Sequence, residues 1–266
     1  MLIKELVNKS VYGTIGYIAS QEDINTLEQY IIYNLPILRE YKQIIVATNW
    51  KQLDLNLINR HIDMWERYFP NIILIDSEVN RGHNHGYADL DNLIINYCKE
   101  NNIDWLCKSA NDTILIDSFF EKEIPEADFY YLNGVGYGGM IPFNFDFDKI
   151  IEEAFYPQTN FYFINVSKID YLNDKKYLDD TYNYVLGISN YSGKIWEYIK
   201  EWSCENFLKK CTERNNLSVH HLIPLDKYLI LLDHIKRGVL HDSSHKNILI
   251  EGICHMHYKE QPMTII

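Results

Sequence analysis

Asp112 follows a run of apolar residues in Asp104-Trp105-Leu106-Cys107-Lys108-Ser109-Ala110-Asn111-Asp112-Thr113. A carboxylate at the end of a buried strand projects into the crevice where open α/β sheets hold ligands, and as a hard oxygen donor it suits Mg²⁺ or Mn²⁺. The other reading of the same residue is an Asx turn after the strand. Upstream, Asn80-Arg81-Gly82-His83-Asn84-His85-Gly86 combines a glycine that permits close backbone approach with an arginine whose planar fork matches phosphate; His83 and His85 read as turn or surface histidines. Late in the chain, His241-Asp-Ser-Ser-His245 and His255-Met-His257 have spacings that can chelate a metal, and strand alternation puts His255 and His257 on one face. Asp179-Asp180 places two carboxylates side by side, a pattern that also serves as a solvated helix cap. Gly134-Val-Gly136-Tyr-Gly138-Gly139 is glycine-rich but lacks the spacing and the following helix of a dinucleotide fingerprint, so it reads as a flexible turn.

The elements that must position these residues alternate. The sequence predicts strands at Thr14–Ala19, Gln43–Thr48, Asn71–Asp76 and Ile103–Cys107. Between them lie helical periodicities: Leu27, Ile31, Leu35, Leu38; then Ile58, Ile62, Trp65; then Leu90, Leu93, Ile94, Tyr97. Pro36 is expected to kink the first of these or to open a second short helix, and Pro70 ends the second. Continuous apolar strands separated by amphipathic helices imply a mostly parallel sheet covered on both faces, an α/β fold. Ligands should then lie beyond the carboxyl ends of the strands, at Ala19–Asp23, Asn49–Gln52, Ser77–Tyr87 and Lys108–Thr113. Further strands are expected at Asp128–Leu132 and Asn160–Val166, followed by helices carrying Ile195, Ile199, Trp202 and Leu225, Tyr228, Leu229, Leu232, Ile235. With no repeat and no Pro-, Gly- or Ser-rich linker, the chain reads as one body.

This order of motifs resembles the nucleotide-sugar half of GT-A glycosyltransferases, those of family 2 in particular, over about residues 12–170. In that family an Asn-x-Gly turn follows the third strand and a helix leads to an apolar strand ending in Asp-x-Asp. Leu35-Pro36 through Asn49 is similar to its second helix and strand. The resemblance implies a Rossmann-like GT-A sheet with a helical C-terminal elaboration, one domain whose residues of about 12–132 bind the nucleotide sugar and whose residues of about 133–266 bind the acceptor. It implies a nucleoside diphosphate-sugar donor, a hydroxyl acceptor such as a glycan, and a divalent cation, Mn²⁺ or Mg²⁺, bridging the diphosphate whose charge grows as the sugar–oxygen bond breaks. Asp112 then stands for the metal-contacting Asp, Ala110 replaces the first Asp of the motif, and Asn111 can substitute in part as a neutral oxygen ligand. A late histidine, His255 or His257, completes the metal site. Ala19, Ser20 and Glu22 fall where the nucleotide binds, Asn49 where the base is read, and Asn80, Arg81 and Gly82 beside the phosphates. An inverting transfer also needs a carboxylate base, which the resemblance places at Asp180 or Asp179, with Asp226 behind them.

Composition narrows the partners. The 266 residues carry 25 Lys+Arg against 37 Asp+Glu, a formal charge of −12. That balance argues against a general grip on a nucleic-acid backbone and makes a nucleic-acid acceptor unattractive. The 21 tyrosines accompany abundant Ile, Asn and Lys and follow coding bias rather than selection for stacking on sugars. Cys98, Cys107, Cys204, Cys211 and Cys254 are odd in number without a CxxC pair, as expected of reduced thiols in a cytoplasmic protein. The N-terminal residues lack the pattern of a signal peptide, and no apolar run reaches the ~20 residues of a membrane span. Two rival readings stay open: a GT-A-like body that binds nucleotide or sugar without catalysis, which Ala110 motivates, and a zinc hydrolase using the late histidines, which no HExxH helix supports.

Overall fold

The computed structural model describes residues 1–16, 18, 20–49, 54–77, 79–110, 113–133, 157–189, 204–223, 227, 248–250, 253–255 and 264–265. Within them a seven-stranded sheet has the order β3-β2-β1-β4-β7-β6-β8, where β1 is Ser10–Ile15, β2 Ile44–Thr48, β3 Ile73–Asp76, β4 Trp105–Ala110, β6 Phe129–Asn133, β7 Pro157–Asn165 and β8 Val219–His221. Strands β1 to β4 run parallel, β7 runs antiparallel to both β4 and β6, and β8 runs parallel to β6. Six of the seven strands therefore point one way. The α/β class and mostly parallel, Rossmann-like sheet expected from the sequence are those of the molecule.

The helices are α1 (Ile3–Lys9), α2 (Gln21–Leu38), α3 (Leu55–Tyr68), α4 (Gly82–Glu100), α5 (Asp117–Phe120), α6 (Lys175–Ser189) and α7 (Cys204–Arg214). They cover both faces of the sheet. One core joins Leu27 and Ile31 of α2 and Met64 and Trp65 of α3 to Tyr12, Val46, Cys107 and Phe163. The other joins Leu90, Ile94 and Ile95 of α4 and Leu208 and Cys211 of α7 to Val11, Ile45, Leu106, Tyr162 and Ile164. Alternate residues of each strand go to opposite cores, so β1 and β2 are buried throughout.

Three local readings change. β1 starts at Ser10, four residues before the predicted Thr14, and ends at Ile15. Gly13 lies inside it rather than at its entry: a Cβ there would sit 2.9 Å from Leu106 Cδ1 and 3.0 Å from Ile94 Cγ2, so the bare glycine lets α4 approach the central strands. Pro36 does not divide α2, which runs unbroken from Gln21 to Leu38. In the last turn the missing N–H costs one intrahelical bond, and Arg39 N–H still donates to the Leu35 carbonyl at 3.2 Å. The strand predicted at Asn160–Val166 is β7, which is Pro157–Asn165 and is the antiparallel member of the sheet.

A second, four-stranded sheet has the order β11-β9-β10-β5, with β5 Thr113–Leu115, β9 Ile248–Ile250, β10 Ile253–His255 and β11 Thr264–Ile265. β5 follows β4 after two residues, and β10 pairs with it antiparallel, His255 opposite Thr113. Ala19, Asn111, Asp112, His257 and Asp226 lie outside the described residues, as do the Gly134–Gly139 turn and most of the helices predicted beyond residue 189.

Candidate functional site

Strand order locates the crevice. The chain passes from β1 outward through β2 to β3, then returns to place β4 on the other side of β1. The order reverses between β1 and β4, so the crevice in which open α/β sheets hold ligands lies beyond these two carboxyl ends, where β1 passes to α2 and β4 to β5. Its borders are Ile15-Gly16 and Ala110, and Asn111-Asp112 is the connection from the end of β4 to β5.

β5, the strand that follows, is gripped from outside. Asn34, in α2 and only 5 % exposed, donates through Nδ2 to the Thr113 carbonyl at 2.9 Å and accepts from Leu115 N–H at 2.9 Å through Oδ1. One side chain thus mimics a strand partner for β5 while β10 pairs its other edge. An asparagine inside a helix favours caps and turns unless its amide finds partners. A polar residue among Ile31, Leu35 and Leu38 was the available sequence signal.

The neighbouring strand ends are tied together. Thr48 Oγ1 donates to the Gly16 carbonyl at 3.0 Å, and Ser77 N–H donates to the Thr48 carbonyl at 2.7 Å. Asn49 follows β2 half-buried, and Asn80 is half-buried before α4. Ser20 caps α2, accepting from Asp23 N–H at 3.2 Å and donating to the Asp23 carboxylate at 2.9 Å, and both Ser20 and Glu22 are exposed. Gly82 opens α4.

Arg81 is almost wholly buried, 2 % exposed. Its Nη1 meets the Asp89 carboxylate at 2.6 Å and its Nε the Asp179 carboxylate at 2.7 Å. Nη2 is buried with no hydrogen-bond partner among the described residues. The guanidinium expected beside phosphate is therefore shared by two internal carboxylates. The Arg81 hydrogen bond holds the half-exposed Asp179 carboxyl below the usual range. Asp180 faces solvent and pairs with Lys176 at 2.5 Å, one helical turn away.

His85 corrects a reading. It is 4 % exposed rather than a surface histidine. Its Nε2 lies 3.0 Å from Thr181 Oγ1, and its ring packs edge-on to Phe207 at 5.2 Å. Burial, with Arg81 nearby, lowers its pKa to about 4. Burial alone brings His61, which accepts from Trp65 Nε1 at 3.0 Å, to about 4. It is also the main cause for His221 at about 4. An unfolded histidine titrates near 6.5, so between there and about 4 the unfolded chain binds more protons and stability falls as pH falls. Thermal melts should show the midpoint dropping from pH 6.5 toward 4, and His61→Gln should flatten that slope. A midpoint constant over this window in the wild type would show these histidines are not buried neutral.

A second polar cluster lies under the same sheet. Lys108, in β4, is fully buried, donates to the Thr159 carbonyl, and lies 3.8 Å from Asp91 of α4 and 4.8 Å from the Tyr87 ring centre. Burial pushes the Asp91 carboxyl up, against the pull of Lys108. Cys98, Cys107, Cys204 and Cys211 are free and buried. Among the described residues no three His, Cys, Asp or Glu side chains are grouped to hold a metal ion, and no helix is long and apolar enough to cross a membrane.

No family model matches the sequence, and no curated protein matches it. Among solved structures the chain is similar to the galactosyltransferase LgtC in complex with donor and acceptor sugar analogs, at 10% identity and a TM-score of 0.46, covering 94% of this chain and 88% of that one. It is also similar to the mannose-1-phosphate geranyltransferase from Thermus thermophilus, at 10% identity and a TM-score of 0.36, covering 74% of this chain and 71% of that one.

Proposed function

We propose that the protein is a glycosyltransferase of the GT-A type, of the family 2 pattern, moving a sugar from a nucleoside diphosphate donor to a hydroxyl acceptor with inversion. One observation carries the reading: β4 ends at Ala110, at the point where strand order reverses, and β10 pairs with β5 so that His255 stands opposite Thr113, the residue after Asp112 in sequence. A late histidine is thereby brought to the start of the strand that the candidate carboxylate precedes, at the ligand end of the sheet.

Two of the donors are hard oxygens, the Asp112 carboxylate and the Asn111 amide, and fit Mn²⁺ or Mg²⁺; the histidine is a borderline nitrogen donor that Mn²⁺ accepts more readily than Mg²⁺. Asp112 with His255 or His257 would hold the ion, which when bound neutralises charge on the departing diphosphate. The nucleotide lies across the ends of the first three strands, against Ala19, Ser20, Glu22 and Asn49, with Asn80 and Gly82 nearer the diphosphate. Arg81 serves this edge through Asp179 rather than through an exposed fork. Asp179 is tied to the buried Arg81, whereas Asp180 is exposed beside Lys176 in a pair worth little, and Asp180 serves as the base. It takes the proton of the acceptor hydroxyl as that oxygen bonds to the anomeric carbon; the bond from that carbon to the diphosphate breaks, and the nucleoside diphosphate leaves with its electron pair.

The experiment is a thermal-shift screen of nucleoside diphosphates with Mn²⁺, followed by donor hydrolysis and transfer assays on the nucleotides that bind. Stabilisation by one nucleotide and turnover of its sugar conjugate support the reading. Binding without turnover on any donor supports the non-catalytic body that Ala110 motivates, and tightly bound zinc by elemental analysis supports a hydrolase.

A further inference from the structure

Asp89 sits in the second turn of α4, 9 % exposed, and is joined to two residues of the connection between β3 and α4. One of its carboxylate oxygens, Oδ2, accepts from Ser77 Oγ at 2.7 Å and from Arg81 Nη1 at 2.6 Å. Ser77 follows β3 and is itself fixed to Thr48 of β2. Arg81 reaches from the same carboxylate to Asp179 of α6. The chain of contacts thus runs from the parallel strands through Asp89 and Arg81 to the helix bearing Asp179-Asp180, a separation of 98 residues between Arg81 and its partner. His85–Thr181 is a second contact between the same two helices.

The charges explain why Asp89 is needed. A guanidinium with 1 % side-chain exposure requires a buried counter-charge, whereas the Asp179 side chain is 41 % exposed and well solvated. Asp89, with 13 % side-chain exposure, is the anion that pairs with the Arg81 guanidinium and orients it inside the protein. Its fork is planar, so fixing Nη1 on Asp89 also fixes the direction of Nε, which faces Asp179.

We propose that Asp89 is a positioning residue: it holds Arg81, and through Arg81 it sets the place of α6, and so of the acceptor-side carboxylates, against the ligand end of the sheet. The link to catalysis rests on the glycosyltransferase reading; the link from Asp89 to α6 does not. The test is amide hydrogen exchange on the full chain. Asp89→Asn keeps the shape and removes the charge, and exchange across residues 177–184 should rise roughly ten- to hundredfold, as it should in Asp179→Asn. The double variant should exchange no faster there than Asp179→Asn alone, because both changes cut one path. Ser77→Ala, which removes the other donor to the same oxygen, should leave α6 exchange unchanged. Faster exchange confined to residues 77–90 in Asp89→Asn, or additive effects in the double variant, would overturn the proposal. Where the wild type turns over a donor, Asp89→Asn should lower kcat and leave donor KM unchanged. A wild type that turns over no donor removes the catalytic reading, while the exchange data still decide the role of Asp89.

Discussion

Asp112→Ala should lower turnover of the best donor roughly 10²–10³-fold, the scale on which losing one group that stabilises developing charge slows an enzyme. Ala110 ends β4 at the switch between β1 and β4, Thr113 begins β5, and Asp112 belongs to the two-residue passage between them. With alanine at position 110, the sequence leaves this passage one carboxylate where the resembling family has two, so a replacement removes the acidic charge entirely. The fold should survive, because β5 is held by the Asn34 amide and by β10. Circular dichroism and thermal melts should therefore match the wild type within the effect of a surface change. Stabilisation by nucleoside diphosphate should lose its dependence on Mn²⁺ in the variant. Asp112→Ala turning over its donor at the wild-type rate would take Asp112 out of the mechanism, and with it the reason for a bound cation.

How far the sequence could be read depended on where partners lie along the chain. β2 was legible almost to the residue, since Ile44–Thr48 is buried on both sides and reads as an unbroken apolar run. β1 was not, because Ser10 and Gly13 interrupt that run for tertiary reasons: Ser10 Oγ donates to the Leu6 carbonyl at 2.6 Å, closing α1, and Gly13 makes room for Ile94 and Leu106. α1 itself has seven residues, too few for periodicity to speak. The strand ends that border the crevice could be named only approximately from apolar runs and turns, since β1 ends at Ile15 rather than Ala19 and β4 at Ala110 rather than Cys107. What bonds to what across it could not: Asn34 meets β5 some 80 residues later, and Arg81 meets Asp179 after 98. The Asp-Asp pair illustrates the difference. Its two members look alike in sequence, yet one is anchored to a buried guanidinium and the other to a solvated lysine.

The largest stability effect should come from Lys108, a residue no motif singles out. Its ammonium is buried between the Thr159 carbonyl, Asp91 and the Tyr87 ring. Burying an ion pair gains little net stability, but removing one partner strands the other charge. Lys108→Met fits the volume and leaves Asp91 buried without its cation, so the fold should lose ~3–5 kcal/mol at neutral pH. Lys108→Met combined with Asp91→Leu removes both charges and should recover much of that loss. The pH dependence distinguishes this from a packing defect. Burial already raises the Asp91 carboxyl, and Lys108 is the first group opposing it. Without the lysine the folded pKa climbs further above the unfolded one, so the folded state takes up a proton first as pH falls. Relative to wild type, the deficit of Lys108→Met should shrink on acidification toward the Asp91 pKa and be largest above it. Denaturant melts from pH 8 to 5 measure that trend, and a deficit constant across the range would mean that lost contacts, not a stranded carboxylate, account for the damage.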